Sequence, residues 1–167
     1  PYGDRNPEIE NGLLSLIDTG VDYDVTALVE GGPQHALSKL EDTFGREPQS
    51  KGSEFSDWEQ DFAFVAQSLT EEIVMDIIEE YVGQLGIHNV ALSGGVALNC
   101  KMNKRIMEMD CVEEIFIQPV AHDAGTAVGA GMAENDVAET EDMSTVYWGP
   151  EFSTKEIKEI LSECKLD

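Results

Sequence analysis

Two short stretches hold the residues whose types and spacing could do chemistry. Ser93-Gly94-Gly95 closes the apolar run Val90-Ala91-Leu92, and His122-Asp123-Ala124-Gly125 follows the run Ile115-Phe116-Ile117 just beyond Pro119. Two glycines after a strand let a backbone approach a phosphate, and the next helix offers free N–H groups and a positive dipole end. The pattern is neither a GxGxxG fingerprint nor a P-loop, since no Gly-Lys-Ser/Thr follows, so an ordinary tight turn stands beside the phosphate reading. Asp123 is the sharper residue. A carboxylate at a strand end, next to a Gly125 that admits a close approach, suits a cation or a metal-bridged phosphate. As the N-cap of a helix over 124–132 it would serve equally well.

Other polar residues weigh toward structure. Asn99 and Lys101, just inside the helix after the glycines, could bond a nucleotide or simply cap and solvate that helix start. His122 reads as a hydrogen-bonded loop residue, and His35 and His88 have no partner at ligand spacing. Cys100 lies near a helix start, where a thiolate could be stabilised, but no histidine is in register as a base, so a packed core thiol is expected. Ala124, Ala127, Gly129, Ala130 and Gly131 form a thin helix face expected to pack closely against a sheet.

The elements needed to position these residues follow from periodicity. Around the two turns the order is strand, glycine turn, helix, strand, acidic-glycine turn, helix, with Val96, Ala97, Asn99, Cys100, Asn103 and Met107 at the spacing of a partly buried helix. Both turns fall at carboxyl ends of strands, where open α/β sheets collect ligands. Upstream, Ser56 and Glu59 have the form of a capping box. Trp58, Phe62, Val65, Leu69, Ile73, Ile77 and Tyr81 then recur every three or four residues, predicting a long amphipathic helix ended by Gly83 or Gly86. Residues 1–12 read as loop, Leu13–Ile17 and Val25–Val29 as short strands, 36–44 as weakly helical and 45–53 as a surface crossing. Residues 134–144 are acidic and expected to be exposed. Tyr147-Trp148-Gly149-Pro150 is a turn, and Ser153 to Glu156 repeats the capping-box form ahead of Ile157, Ile160 and Leu161. With no internal repeat and no convincing second core, residues 1–167 are expected to form a single domain.

Composition narrows the partners. The 167 residues carry 34 acidic against 10 basic side chains, a formal charge of −24. Acids spread along the whole chain fit a halophilic cytoplasm, where a carboxylate-rich surface stays hydrated and its self-repulsion is screened, and they argue against a nucleic-acid groove. No run approaches the roughly 20 apolar residues of a membrane span, and no signal peptide is visible. Cys100, Cys111 and Cys164 form no CxxC pair, which suits a reduced cytoplasmic compartment.

SGGVALNCKMN followed by IFIQPVAHDAGTAVGAGM resembles the NodU/CmcH/TobZ-type O-carbamoyltransferases. Pro1-Tyr2-Gly3, the segment from Phe62 to Ser68 with Glu71-Glu72, and Tyr147 to Ser153 resemble further segments of that family in matching order. The resemblance implies an α/β fold of the ribonuclease-H-like (actin/Hsp70/Kae1-type ATPase) kind, a mixed sheet flanked by helices, with this chain as the second lobe of a Kae1-like domain. It also implies the reaction: carbamoyl phosphate and ATP give carbamoyl adenylate, and the carbamoyl group passes to a hydroxyl of a small molecule. By the same resemblance Gly94, Gly95, Asn99 and Gly125 would sit at the nucleotide. Asp123 would be catalytic as ligand to an iron-type divalent metal, with Mg²⁺ accompanying the nucleotide. The family's HxxxH metal motif, its upstream lobe and its YrdC-like domain have no counterpart here, so they are expected as partners of a chain inactive alone. Two further readings share the fold: a tRNA threonylcarbamoyl-transferase-like protein, and a non-catalytic actin-like nucleotide-binding or regulatory lobe.

Overall fold

A 29-residue helix, Asp57–Leu85, contributes to both hydrophobic clusters of the described residues. The computed structural model describes residues 3–17, 30–50, 52–134, 145–147 and 149–164. In chain order the elements are α1 (Pro7–Leu14), α2 (Pro33–Phe44), α3 (Asp57–Leu85), β1 (Asn89–Leu92), a 3-10 turn (Gly95–Leu98), α4 (Cys100–Met107), β2 (Glu114–Ile117), α5 (Gly125–Glu134) and α6 (Thr154–Glu163). The architecture is mixed α/β. Among the described residues the sheet is a parallel pair, with Asn89 opposite Glu114 and Leu92 opposite Ile117.

The start of α3 is the expected capping box: Ser56 and Glu59 bond each other's side chain and backbone. The helix passes through Gly83 and stops at Gly86, whose N–H reaches the Val82 carbonyl. Its two halves bury different partners. The amino-terminal half packs Val65 and Leu69 with Ile9 of α1, bordered by Leu13, Leu14, Phe44, Trp58, Phe62 and Phe64. Phe44, Trp58 and Phe62 meet edge-on or stacked at 5.3–5.6 Å, favourable ring geometry. The carboxyl-terminal half packs Ile78 and Val82 with Met102 and Ile106 of α4, and Val90, Leu92 and Ile115 close this cluster from one face of the sheet. The expected single apolar stripe is therefore not kept: Ile78 and Val82 are buried where Ile77 and Tyr81 were expected, and Tyr81 is exposed. At about 100° per residue Ile78 and Val82 lie roughly opposite Val65 and Leu69, so the two halves of the helix bury opposite faces and not one continuous stripe.

Three expectations are corrected. Residues 7–14, read as loop and the beginning of a strand, form α1. Asn6 caps it by accepting from the Glu8 and Ile9 N–H groups, Pro7 fills its first turn, and Asp61 of α3 accepts from the Asp4 N–H and from the Asn6 amide. Leu13 thus lies one helical turn beyond Ile9 on the face toward α3 and is no strand residue. In the central segment the predicted helix is broken. Residues Gly95–Leu98 wind as a 3-10 turn, Asn99 is extended (φ −75°, ψ 92°), and α4 restarts at Cys100. The restart turns Met102, Asn103 and Ile106 inward and leaves Val96, Met107 and Cys100 exposed, so Cys100 is no packed core thiol. Finally, α5 buries none of its residues. Among the described residues one face of the strand pair (Val90, Leu92, Ile115) is occupied by α3 and α4, and on the other Phe116 is exposed, so the expected close packing of the small-residue face on a sheet is not found.

The predicted helices over 36–44 and from Ser153 onward are present as α2 and α6, the latter with its capping box between Ser153 and Glu156. Ile157, Ile160 and Leu161 of α6 are exposed. The expected strand Val25–Val29, the acidic residues 135–144, Trp148 and the Pro1-Tyr2 pair lie outside the described residues.

Candidate functional site at the strand ends

β1 and β2 run side by side and end level, so the loops that leave them meet. The Gly94 N–H donates to the Ala121 carbonyl at 2.8 Å, and the Gln118 N–H donates to the Leu92 carbonyl at 3.1 Å. Ser93, Gly94, Val120 to Asp123, Gly125 and the first two turns of α5 line a cleft of about 330 Å³. Gly94 and, far from it in sequence, Asp123 and Gly125 therefore share one concavity. Gly95 and Asn99 adjoin it through the turn and do not line it.

Each residue of the cleft has a distinct local reason. Gly94 adopts φ 95°, ψ 163°, a region almost confined to glycine, and no atom lies within 4 Å of where its Cβ would stand. Gly95 has an ordinary φ and the same open surroundings, while the Gly95 and Val96 N–H groups donate to no backbone carbonyl among the described residues. Two free N–H groups at an open turn are a reasonable cradle for an anion. Gly125 differs: a Cβ there would lie 2.2 Å from the Val120 carbonyl oxygen. The close approach it permits is that of its own chain.

The two readings of Asp123 can now be compared atom by atom. Its carbonyl oxygen accepts from the Thr126 N–H at 3.1 Å and from the Thr126 hydroxyl at 2.6 Å. Its carboxylate is exposed and bonds no group among the described residues, so it does not cap α5. Local capping falls to His122, whose Nδ1 accepts the Ala124 N–H at 3.3 Å while its carbonyl accepts the Gly125 N–H. His122 is thus the hydrogen-bonded loop residue expected. A metal fits this arrangement only in part. Asp123 offers one free oxygen ligand, and no group of three or more His, Cys, Asp or Glu side chains among the described residues is placed to complete a coordination sphere.

Behind the glycine turn lies a polar network that sequence reasoning missed. Gln67 of α3 and Asn99 face each other amide to amide, with bonds of 3.1 and 2.9 Å. The Asn99 oxygen also accepts the Met102 N–H, capping α4. Gln67 donates to Glu71 at 2.6 Å, and Glu71 accepts from Arg105 at 2.7 Å. Burial opposes ionisation of Glu71, but the Arg105 and Gln67 hydrogen bonds outweigh it and hold the carboxyl below its ordinary range. Asn103, buried in α4, donates to the Ala97 carbonyl at 2.8 Å, and its Oδ1 has no partner among the described residues. The partners of Gln67 and Arg105 lie 32 and 34 residues away, so no local pattern announces them.

A parallel β–α–β unit whose strand-end loops join over one cleft is the frame of a ligand-binding α/β protein. Comparison with known proteins makes this specific. Residues 1–132 match the model of the carbamoyltransferase N-terminus, and the chain belongs to that carbamoyltransferase family. It is similar to the nodulation protein NolNO of Sinorhizobium fredii, 32% identical over 162 residues that make up 92% of this chain and 22% of that protein. The nodulation protein NolO of Bradyrhizobium diazoefficiens is 30% identical over 168 residues, 96% of this chain and 29% of that protein. An uncharacterized Synechocystis protein is 36% identical over 131 residues, 74% of this chain and 21% of that protein. The chain thus spans less than a third of the length of each of these curated relatives.

Proposed function

We propose that this chain is the nucleotide-binding lobe of an O-carbamoyltransferase, of the ribonuclease-H-like, Kae1-type kind. In the complete enzyme, carbamoyl phosphate, ATP and water would yield carbamoyl adenylate, with phosphate and pyrophosphate released. The acceptor hydroxyl of a small molecule would attack the carbamoyl carbon and give up its proton to solvent, while the C–O bond to phosphate breaks and AMP leaves with the electron pair. The observation that carries the reading is the meeting of Gly94, Asp123 and Gly125 in one cleft at the ends of two parallel strands. The Gly94-Gly95 turn would take nucleotide phosphate on its free N–H groups. The Asp123 carboxylate would supply one ligand to a divalent cation, whose Lewis acidity favours charge building on the adenylate oxygens. The remaining ligands would come from an upstream lobe, and the adenylate from a YrdC-like domain. The formal charge of −24 fits a molar-salt cytoplasm, in which the lobe would be at its most stable.

The test is an NMR titration of this chain with ATP and Mg²⁺ in molar KCl. Amide shifts centred on Gly94, Gly95 and Asp123 are expected, and Asp123→Ala should abolish their Mg²⁺ dependence without disturbing the fold. A folded chain whose cleft signals stay still, even with the upstream lobe of a complete family member added, would overturn the assignment.

A further inference from the structure

Asn99 stands at the glycine turn, yet its side chain is committed elsewhere. Its oxygen takes two N–H groups, those of Gln67 and Met102, and its amide nitrogen donates to Gln67. We propose that Gln67, Asn99 and Asn103 are positioning residues, which set the shape of the Gly94–Leu98 turn from behind and touch no nucleotide. The inference rests on the phosphate-turn reading above for its consequence, although not for its geometry.

Three observations support it. The turn from Gly95 to Leu98 is a single 3-10 coil, whose short bonds Ala97 N–H to Gly94 O and Asn99 N–H to Val96 O leave it little intrinsic strength. Its carboxyl end and its middle are tied to the helices behind it by side chains. Asn99, where the coil ends, is clamped to the long helix through Gln67, itself tied to the buried Glu71. Asn103 holds the middle through the Ala97 carbonyl. The third observation is energetic. Asn103 is buried and its enclosed Oδ1 has no partner among the described residues, a desolvation cost that a leucine would avoid. What the amide supplies in return is one bond to the turn, so its contribution is to shape more than to stability.

The test uses Gln67→Met, which keeps the length of the side chain and removes every bond it makes. Without ATP, the amide signals of Gly94, Gly95 and Ala97 should move. With ATP, affinity should fall about tenfold, the scale of one or two lost hydrogen bonds acting through geometry. The control is Val65→Ala, on the same helix but in the other cluster: it should lower Tm and leave both the turn signals and ATP affinity unchanged. Still turn signals in Gln67→Met, or equal ATP losses in the two variants, would overturn the proposal. If the turn signals move but the unaltered chain binds no ATP, the network is a positioning device and the phosphate reading is what fails.

Discussion

After β1 the chain turns through Gly94 at φ 95°, with open space where a side chain would be; after β2 it turns so that Gly125 lies beneath the Val120 carbonyl, 2.2 Å from where a Cβ would stand. The first glycine serves a backbone angle and leaves room in front of it. The second is spent on contact with its own chain. The turns also differ in what holds them. The first is braced from behind by Gln67, Asn99 and Asn103, whereas the second depends on local bonds from His122 and Asp123 to the start of α5. Adjacent glycine-bearing turns at one cleft are therefore not equivalent. An open, braced turn is suited to receive a ligand, and a filled one is suited to present a carboxylate.

Substitutions at the three glycines separate these uses. Gly125→Ala should cost the most, about 3 kcal/mol, because the clash is with backbone that cannot rotate away. Chemical denaturation measures it, and a loss below 1 kcal/mol would mean that the second turn yields easily. Gly94→Ala should cost about 1–3 kcal/mol from backbone conformation alone. Gly95→Ala should change stability by no more than about 0.5 kcal/mol, as its φ is ordinary and its surroundings are empty. Its effect should appear only in ATP affinity, so calorimetry on a variant of unchanged Tm isolates the ligand's claim on that space.

The bracing of the first turn has a pH signature. The Glu71 carboxyl is held below its usual value of 4.5, so the folded chain binds fewer protons than the unfolded chain just below that pH. Its stabilisation is complete above pH 4.5 and is lost as pH falls through the lowered folded value. Glu71→Gln should remove this part of the acid dependence, read from Tm between neutral pH and acid. Acid profiles of equal slope in the two proteins would show that the network carries no charge-linked stability.

Much of this arrangement was legible in the chain because it is local. The capping boxes at Ser56 and Ser153, the two short strands and the glycine turn at their end are properties of neighbouring residues, and they were found where expected. α1 does carry a local signal, Asn6 as cap and Pro7 in the first turn, but the turn formers around it fit a loop equally well. The register of α4 escaped because a 3-10 coil and an extended Asn99 reset the helical phase, a change that periodicity averages away. At the cleft, the candidates Gly94, Asp123 and Gly125 were recognisable, but whether Gly125 faced a ligand or its own backbone depended on the path of Val120. The Gln67–Asn99 and Glu71–Arg105 pairings join elements that only tertiary folding brings together.

The β1–α4–β2 unit also bears on how the chain reaches its structure. Its strands pair over a crossover contained within residues 89–117, so closing the loop costs little chain entropy, which grows only with the logarithm of its length. Most of the contacts between Ile78, Val82, Met102 and Ile106 likewise span a few tens of residues. Docking Ile9 against Val65 and Leu69 must close more than fifty residues of chain, about twice as many, which costs only about 0.6 kcal/mol more in chain entropy. Chain connectivity therefore favours assembly of the strand-end cleft over docking of the amino-terminal helix by a small margin, and the two are expected to form together in one cooperative step.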